Sequence, residues 1–409
     1  VSALTDDDER PLLERIREGY TRPPRLLEGD DARIWKAPCH EDAVAVIGRL
    51  GAGDGSIDAV YAFALAHPVA DYADHLVAPG RFDRATAARL RPNVRWLRRT
   101  ARDAEPIKLA IVLTGMIGEA RDIDDLITLA ADEEFTLLAV QAIARLDGDP
   151  TDPWMAIART ATGWGLVEVV EHLTTVSVSR VADRQWLIAL PAIAAEVADQ
   201  LAAPAAAAGQ LATTVVPTAP DAVLDGAATI VASLVRGGGE ADVLSAAEAY
   251  VEAVARRCDR LLRVDAVVAA RSLGGPVAVV ADAILVRPDV RAIVVSAFRA
   301  GASADRALAL RLAPAVALDL WADACDALRV EPDDASLAFT MLQDPSPARV
   351  QETLDVLADQ PASRIADRVL DEALRRVGVG DVACDRLVGA GLLSANPRIR
   401  ELAARASRP

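Results

Sequence analysis

Along most of this chain the apolar residues recur every three or four positions, and strict alternation is nearly absent. That period is the signature of amphipathic helix, and its dominance restricts the chain to helix packed on helix. In "PIKLAIVLTGMIGE" (106–119), Ile107, Ala110, Ile111, Thr114 and Ile117 fall on one face. "EEFTLLAVQAIARLDGD" (133–149) repeats the design with Leu137, Val140 and Ala144, and closes on Gly148. "PDVRAIVVSAFRAG" (288–301) opens on proline and ends on glycine, the asymmetry expected of helix ends. The best strand-like run, "TTVVPT" (213–218), is interrupted by a proline that a central strand does not tolerate. The expected fold class is all-α.

The predicted helices come in pairs. Residues 106–119 are followed by "DIDDLITLAAD" (122–132), 133–148 by "DPWMAIARTAT" (152–162), and a third pair opens at Trp164. Ile107, Thr136 and Leu166 hold similar places, at offsets of 29 and 30 residues. Towards the C-terminus "DVRAIVVSAF" (289–298), "VALDLWADAC" (316–325) and "ARVQETLDVL" (348–357) begin 27 and 32 residues apart. Helix pairs at a period near thirty predict an α-α superhelix, a solenoid of paired antiparallel helices in which each repeat buries its apolar face against its neighbours.

The stretch "PDVRAIVVSAFRAGASADRALALRLA" (288–313) resembles HEAT repeats of the short bacterial type: Pro-Asp, Val-Arg, a small-residue helix, a glycine turn and a leucine-rich second helix. The resemblance implies a HEAT-like architecture and suggests macromolecular recognition. Residues 106–190 also resemble a group of bacterial helical proteins carrying an "EEFTL" element followed by "GWG…VE.L", here Glu133–Leu137 and Gly163–Leu173. That group often has an arginine two residues after the tryptophan, where this chain has Leu166, and the likeness brings no activity with it.

Four segments are expected: an irregular helical N-terminal cap over 1–104, HEAT-like helix pairs over 105–200, a connecting region over 201–240, and C-terminal HEAT-like pairs over 241–409. The cap is read from "GYTRPPRLLEGDD" (19–31) and "KAPCHED" (36–42), which read as loops around a short helical segment, and from "AHPVADYADHLVAPGRF" (66–82), where prolines split short helices. The connecting region is read as a hinge or Ala-rich linker from "LAAPAAAAGQLATTVVPTAP" (201–220) and "RGGGE" (236–240).

Composition narrows the function. The formal charge of −16 makes nucleic acid a poor partner, because such binding draws on neutralised phosphates, and argues against anionic membranes. The basic run "RPNVRWLRRTAR" (91–102) is read as one basic helix face. No window reaches eighteen apolar residues free of charge and proline, so no membrane span is expected. The opening "VSALTDDDER" is acidic where a secretory leader is basic, and the four cysteines form no CxxC pair. A cytoplasmic protein without a disulfide framework is expected.

Signals for chemistry are few. "GAGDGS" (51–56) lacks the Gly-Lys-Ser/Thr of a phosphate loop and reads as a turn between helices. Cys39-His40 and the "HPVADYADH" stretch (67–75) are read as loop residues, so neither metal nor cofactor is expected. The segment "GWGLVEVVEHL" (163–173) is stronger. On a helix it places Leu166, Val169, Val170 and Leu173 on one side, and Trp164, Glu168, Glu171 and His172 on the other. Those four are the candidate binding residues, suited to a protein or peptide of basic character. The expected function is a non-catalytic binding or scaffold protein. An enzyme using Glu168, Glu171 or His172 as acid or base in an inter-helix pocket is the alternative. A HEAT-like nucleic-acid module is a third, and it requires a continuous arginine face.

Overall fold

The computed structural model describes residues 10–19, 40–77, 81–146, 148–238, 242–358, 388–389, 391–393 and 397–407. Among them every regular element is a helix and no strand forms, so the fold is all-α. "TTVVPT" holds no strand: Leu211–Thr214 is a helical turn, and the residues after it form a turn. The chain divides into two compact units, Val1–Thr214 and Val215–Pro409, a boundary that falls within the Ala-rich 201–240 segment.

The N-terminal unit begins with α1 (Leu12–Arg17), α2 (His40–Ala52), α3 (Ile57–Ala66), α4 (Ala73–Leu76) and α5 (Arg84–Thr100). In the segment read as an irregular cap, α2 and α5 are regular helices of 13 and 17 residues. Asp83 caps α5 by accepting from the Thr86 backbone N–H at 2.7 Å, one of the orphan donors that every helix start presents. There follow α6 (Ala104–Ile117), α7 (Ile123–Leu129), α8 (Glu133–Leu146), α9 (Thr151–Ala158), α10 (Gly163–Leu173), α11 (Val181–Ile193), α12 (Ala198–Ala208) and α13 (Leu211–Thr214). Helices α6, α8, α10 and α12 each pack on the next in that series, and α7 packs on α9. Ile107, Ile111, Phe135, Val140, Ile143, Val169, Leu173 and Leu201 fill the space between them with no solvent exposure. Small residues let these helices approach closely, which is how a chain with 4% aromatics still builds a dense core.

The C-terminal unit comprises α14 (Asp221–Arg236), α15 (Asp242–Val254), α16 (Leu261–Arg271), α17 (Gly275–Leu285), α18 (Pro288–Ala300), α19 (Ser303–Leu312), α20 (Trp321–Val330), α21 (Ala335–Leu342), α22 (Pro347–Ala358) and α23 (Pro397–Ala406). Helices α14, α16, α19 and α21 form a packed series, with α15 on α17 and α20 on α22. The helix expected from Val316 begins only at Trp321. A 3₁₀ turn over Ala313–Val316 ends at Ala317, whose φ of 54° is left-handed and breaks the helical path.

The basic run at 91–102 differs from its sequence reading. It forms the second half of α5, but Arg98 is turned inward and has no solvent exposure. Its guanidinium donates to Thr114 Oγ1 at 2.8 Å, Asp122 Oδ1 at 2.8 Å and Asp125 Oδ2 at 2.9 Å. Arg95 reaches Asp122 and Glu119, and Arg99 and Arg17 reach Asp125. Burial alone would raise the Asp122 carboxyl, but the hydrogen bonds from Arg95 and Arg98 outweigh it and hold the group well below the usual carboxylate range. Asp125 is lowered by the same balance, burial opposed by Arg99 and Arg98. The expected basic face is therefore an ion cluster joining α1, α5, α6 and α7.

Among the described residues no single helix is long and apolar enough to cross a membrane. The apolar stretch from Val181 to Ala208 is broken into α11 and α12, bent by 86°.

Candidate functional site

Helix α10 carries the four residues singled out from the sequence. Gly163 opens it with a φ of 54°, a left-handed conformation that favours glycine. Its first turn is held from the neighbouring helix: Glu133, at the start of α8, accepts from the Trp164 backbone N–H at 2.9 Å. A Cβ at Gly165 would stand 2.5 Å from Thr136 Oγ1, so only glycine lets α10 lie this close to α8. Thr136 is itself fully buried, and its hydroxyl donates to the Ala130 carbonyl at 2.9 Å. The "EEFTL" and "GWG" elements thus meet in space as one interlocking contact, a glutamate cap and a glycine notch.

That contact is directly testable. Gly165→Val brings a steric penalty of about 1–3 kcal/mol, which exceeds the roughly 0.5 kcal/mol gained in helix propensity. Urea unfolding followed by tryptophan fluorescence is expected to show a lower midpoint, and an unchanged midpoint would mean that α8 has room to move away.

On α10, Leu166, Val169, Val170 and Leu173 are buried, as the helical period requires, and Gly165 and Val167 join them. Trp164 is 58% exposed, Glu171 is exposed, and Glu168 and His172 are half-buried. The structure thus brings the four onto one outward-facing helix. It does not pair Glu168 with His172 through their side chains. Instead His172 Nδ1 lies 2.9 Å from the Glu168 carbonyl oxygen, and the ring stands edge-on to Trp154 at 5.7 Å between centroids. A carbonyl oxygen only accepts, so Nδ1 carries the proton. The imidazole is oriented by backbone and by an aromatic neighbour, and among the described residues no carboxylate hydrogen-bonds to it.

The surroundings are strongly acidic. Residues 105–214 contain sixteen Asp and Glu against six Lys and Arg, ten of the sixteen net negative charges of the chain. Four of those six bases are engaged in ion pairs: Lys108 bridges Glu105 and Glu134, Arg121 meets Glu119, Arg159 meets Asp183, and Arg180 meets Asp152. Glu168 and Glu171 have no ion-pair partner among the described residues, and Leu137 on α8 is 38% exposed. The face that results is an exposed indole with two uncompensated carboxylates on a rigid helix.

Other sequence candidates lead elsewhere. The His67 ring packs on Phe63 at 4.5 Å, and Cys39 lies outside the described residues, as does the side chain of His40. Among the described residues no three His, Cys, Asp or Glu side chains gather as a metal site. Burial pushes the Cys258 thiol up to about 12 and the Cys325 thiol up to about 11, so neither is a ready nucleophile. Sequence reasoning missed a cavity of about 490 Å³ in the C-terminal unit, lined by residues between Leu310 and Arg349. Its walls come from four helix ends, and no local pattern announces it. None of the four α10 residues reaches it.

Comparison with known proteins adds no identity: no family model matches the chain, and neither a curated protein nor a solved structure matches it.

Proposed function

We propose that this chain is a non-catalytic binding protein that docks a basic segment of a partner protein on the α10 face. One observation carries the reading: Trp164 is 58% exposed beside Glu168 and Glu171, which have no counter-ion among the described residues. A lysine or arginine laid over an exposed indole gains about 0.5–1 kcal/mol from the ring, and the adjacent carboxylates add attraction and speed the encounter.

A HEAT-like solenoid is the architecture that best accounts for the helix order. Ties between neighbouring elements recur close to one repeat apart in both units. Trp164 to Glu133 spans 31 residues and Arg180 to Asp152 spans 28. In the C-terminal unit Arg236 to Asp265 spans 29, Trp321 to Glu352 spans 31, and Arg349 to Asp319 spans 30. Other ties span separations such as 24 and 46 residues, and the group near thirty is the separation that stacked repeats produce.

The test is a pull-down from native extract with wild type and with Trp164→Ala/Glu168→Ala/Glu171→Ala. The expected result is loss of one or more basic proteins from the variant, with wild-type capture weakening as salt is raised. Identical partner lists would remove the α10 face from consideration, and an acidic or neutral partner retained at high salt would remove the electrostatic reading.

A further inference from the structure

The cavity of about 490 Å³ in the C-terminal unit lies within the roughly 300–1,000 Å³ typical of small-ligand sites. It opens where the chain leaves α19 through the left-handed turn at Ala317 and re-enters helix at Trp321. Its apolar wall is Leu310, Ala313, Leu318 and Leu320. One side is fixed by Trp321, whose indole N–H donates to Glu352 at 2.8 Å and whose ring carries the Arg349 guanidinium at 4.9 Å.

The charges around this wall are unbalanced in two opposite ways. Asp265 on α16 receives two arginines, Arg236 on one carboxylate oxygen and Arg311 on the other, the latter at 3.1 Å. That group carries one excess positive charge, and Arg311, which lines the cavity, spends a single N–H on the pair. The second group inverts the arrangement. Arg349 is shared by two carboxylates, Asp319 at 3.0 Å and Asp344 at 3.4 Å, both of which line the cavity. The remaining oxygens of Asp319 and Asp344 cap the Trp321 and Ser346 backbone N–H groups, which fixes both carboxylates in place. This second group carries one excess negative charge. No ion pair joins the two groups among the described residues.

We propose that this cavity binds a small zwitterion of amino-acid or dipeptide size. Its free carboxylate meets the unused N–H groups of Arg311, its free ammonium meets Asp319 and Asp344, and its apolar side chain lies on Leu310, Ala313, Leu318 and Leu320. A simple anion or cation satisfies only one of the two charge groups, and an uncharged apolar ligand satisfies neither. The site is in the other compact unit from α10 and stands or falls independently of the docking face.

Isothermal titration of the full chain with L-alanyl-L-leucine tests it, alongside the N-acetyl dipeptide, the dipeptide amide and free L-leucine. The expected result is binding of the free dipeptide or of leucine, with each blocked form weaker by about tenfold, the weight of one charge-assisted contact. In Arg311→Gln the amide and the free dipeptide are expected to bind alike, because the carboxylate has lost its partner. In Asp319→Asn the N-acetyl form and the free dipeptide are expected to converge instead. Comparison among ligands within one variant keeps the test independent of small changes in fold stability. Equal binding of blocked and free forms by wild type, or no heat from any of the four at millimolar concentration, would overturn the proposal.

Discussion

Replacing Arg98 with alanine is expected to cost the N-terminal unit about 3–5 kcal/mol, the range for breaking a buried ion pair by removing one partner. Arg98 has no solvent exposure, and the side chains of its partners Asp122 and Asp125 are only 2% and 5% exposed. Without it two carboxylates face a void that water must enter, while Thr114 loses a donor. Arg95 stays on Asp122, and Arg99 and Arg17 stay on Asp125, which limits the loss but does not fill the space. Marginal stability makes such a cost a large share of the total for one domain. Hydrogen exchange read by mass spectrometry is the measurement, and protection is expected to collapse in the peptides of α5, α6 and α7. Arg99→Ala, at a guanidinium 55% exposed, is the control and is expected to shift stability by no more than about 1 kcal/mol. Equal effects of the two substitutions would show that burial is not what gives the cluster its weight.

How much of this was legible in advance depends on distance along the chain. The helices over 106–119, 133–148 and 348–357 announce themselves because a 3.6-residue period is local, and the structure places α6, α8 and α22 on them. Thr136, aligned with Leu166 in the sequence, lies against Gly165, so the helices carrying those two positions pack on one another. What the period does not encode is which charged residues turn inward. Arg98 and Arg99 look alike in sequence, and they are separated by one step of 100° on a helix whose partner carboxylates lie 24 to 27 residues away. The missed helix start at Trp321 has a similar origin. Val316 continues the apolar pattern, but a left-handed alanine at 317 interrupts the helix, and alanine gives no warning of it as glycine would. For the candidate site, the division of α10 into buried and outward residues followed from period alone. The glutamate–histidine pair did not, because the imidazole finds Trp154 from α9 and the backbone carbonyl one turn back. The cavity lined by Arg311, Asp319 and Arg349 depends on four helix ends meeting, and nothing local records that.

Arg263 is expected to show the same dependence in the C-terminal unit, in a form that separates charge from geometry. Its buried guanidinium donates to Asp225 at 2.7 Å, to Asp259 and the Arg257 carbonyl at 2.8 Å, and to Asp221 at 2.9 Å. Asp221 and Asp259 are 50% and 67% exposed, so water can take over their oxygens when the arginine is removed. Arg263→Ala is therefore expected to cost about 3 kcal/mol, the low end of the range for a broken buried pair. Arg263→Lys keeps the positive charge but gathers its donors on one nitrogen, which cannot reach acceptors on α14, on the loop before α16 and on the backbone together. It is expected to recover less than half of that loss. Trp321 is the one tryptophan after Trp186 and is 7% exposed, so its fluorescence reports this unit in a urea titration of a variant whose other tryptophans are phenylalanine. If lysine restored full stability, the cluster would be a matter of charge alone, and the planar fork of arginine, spanning the approach to α16 and the start of α14, would have no special part in holding them together.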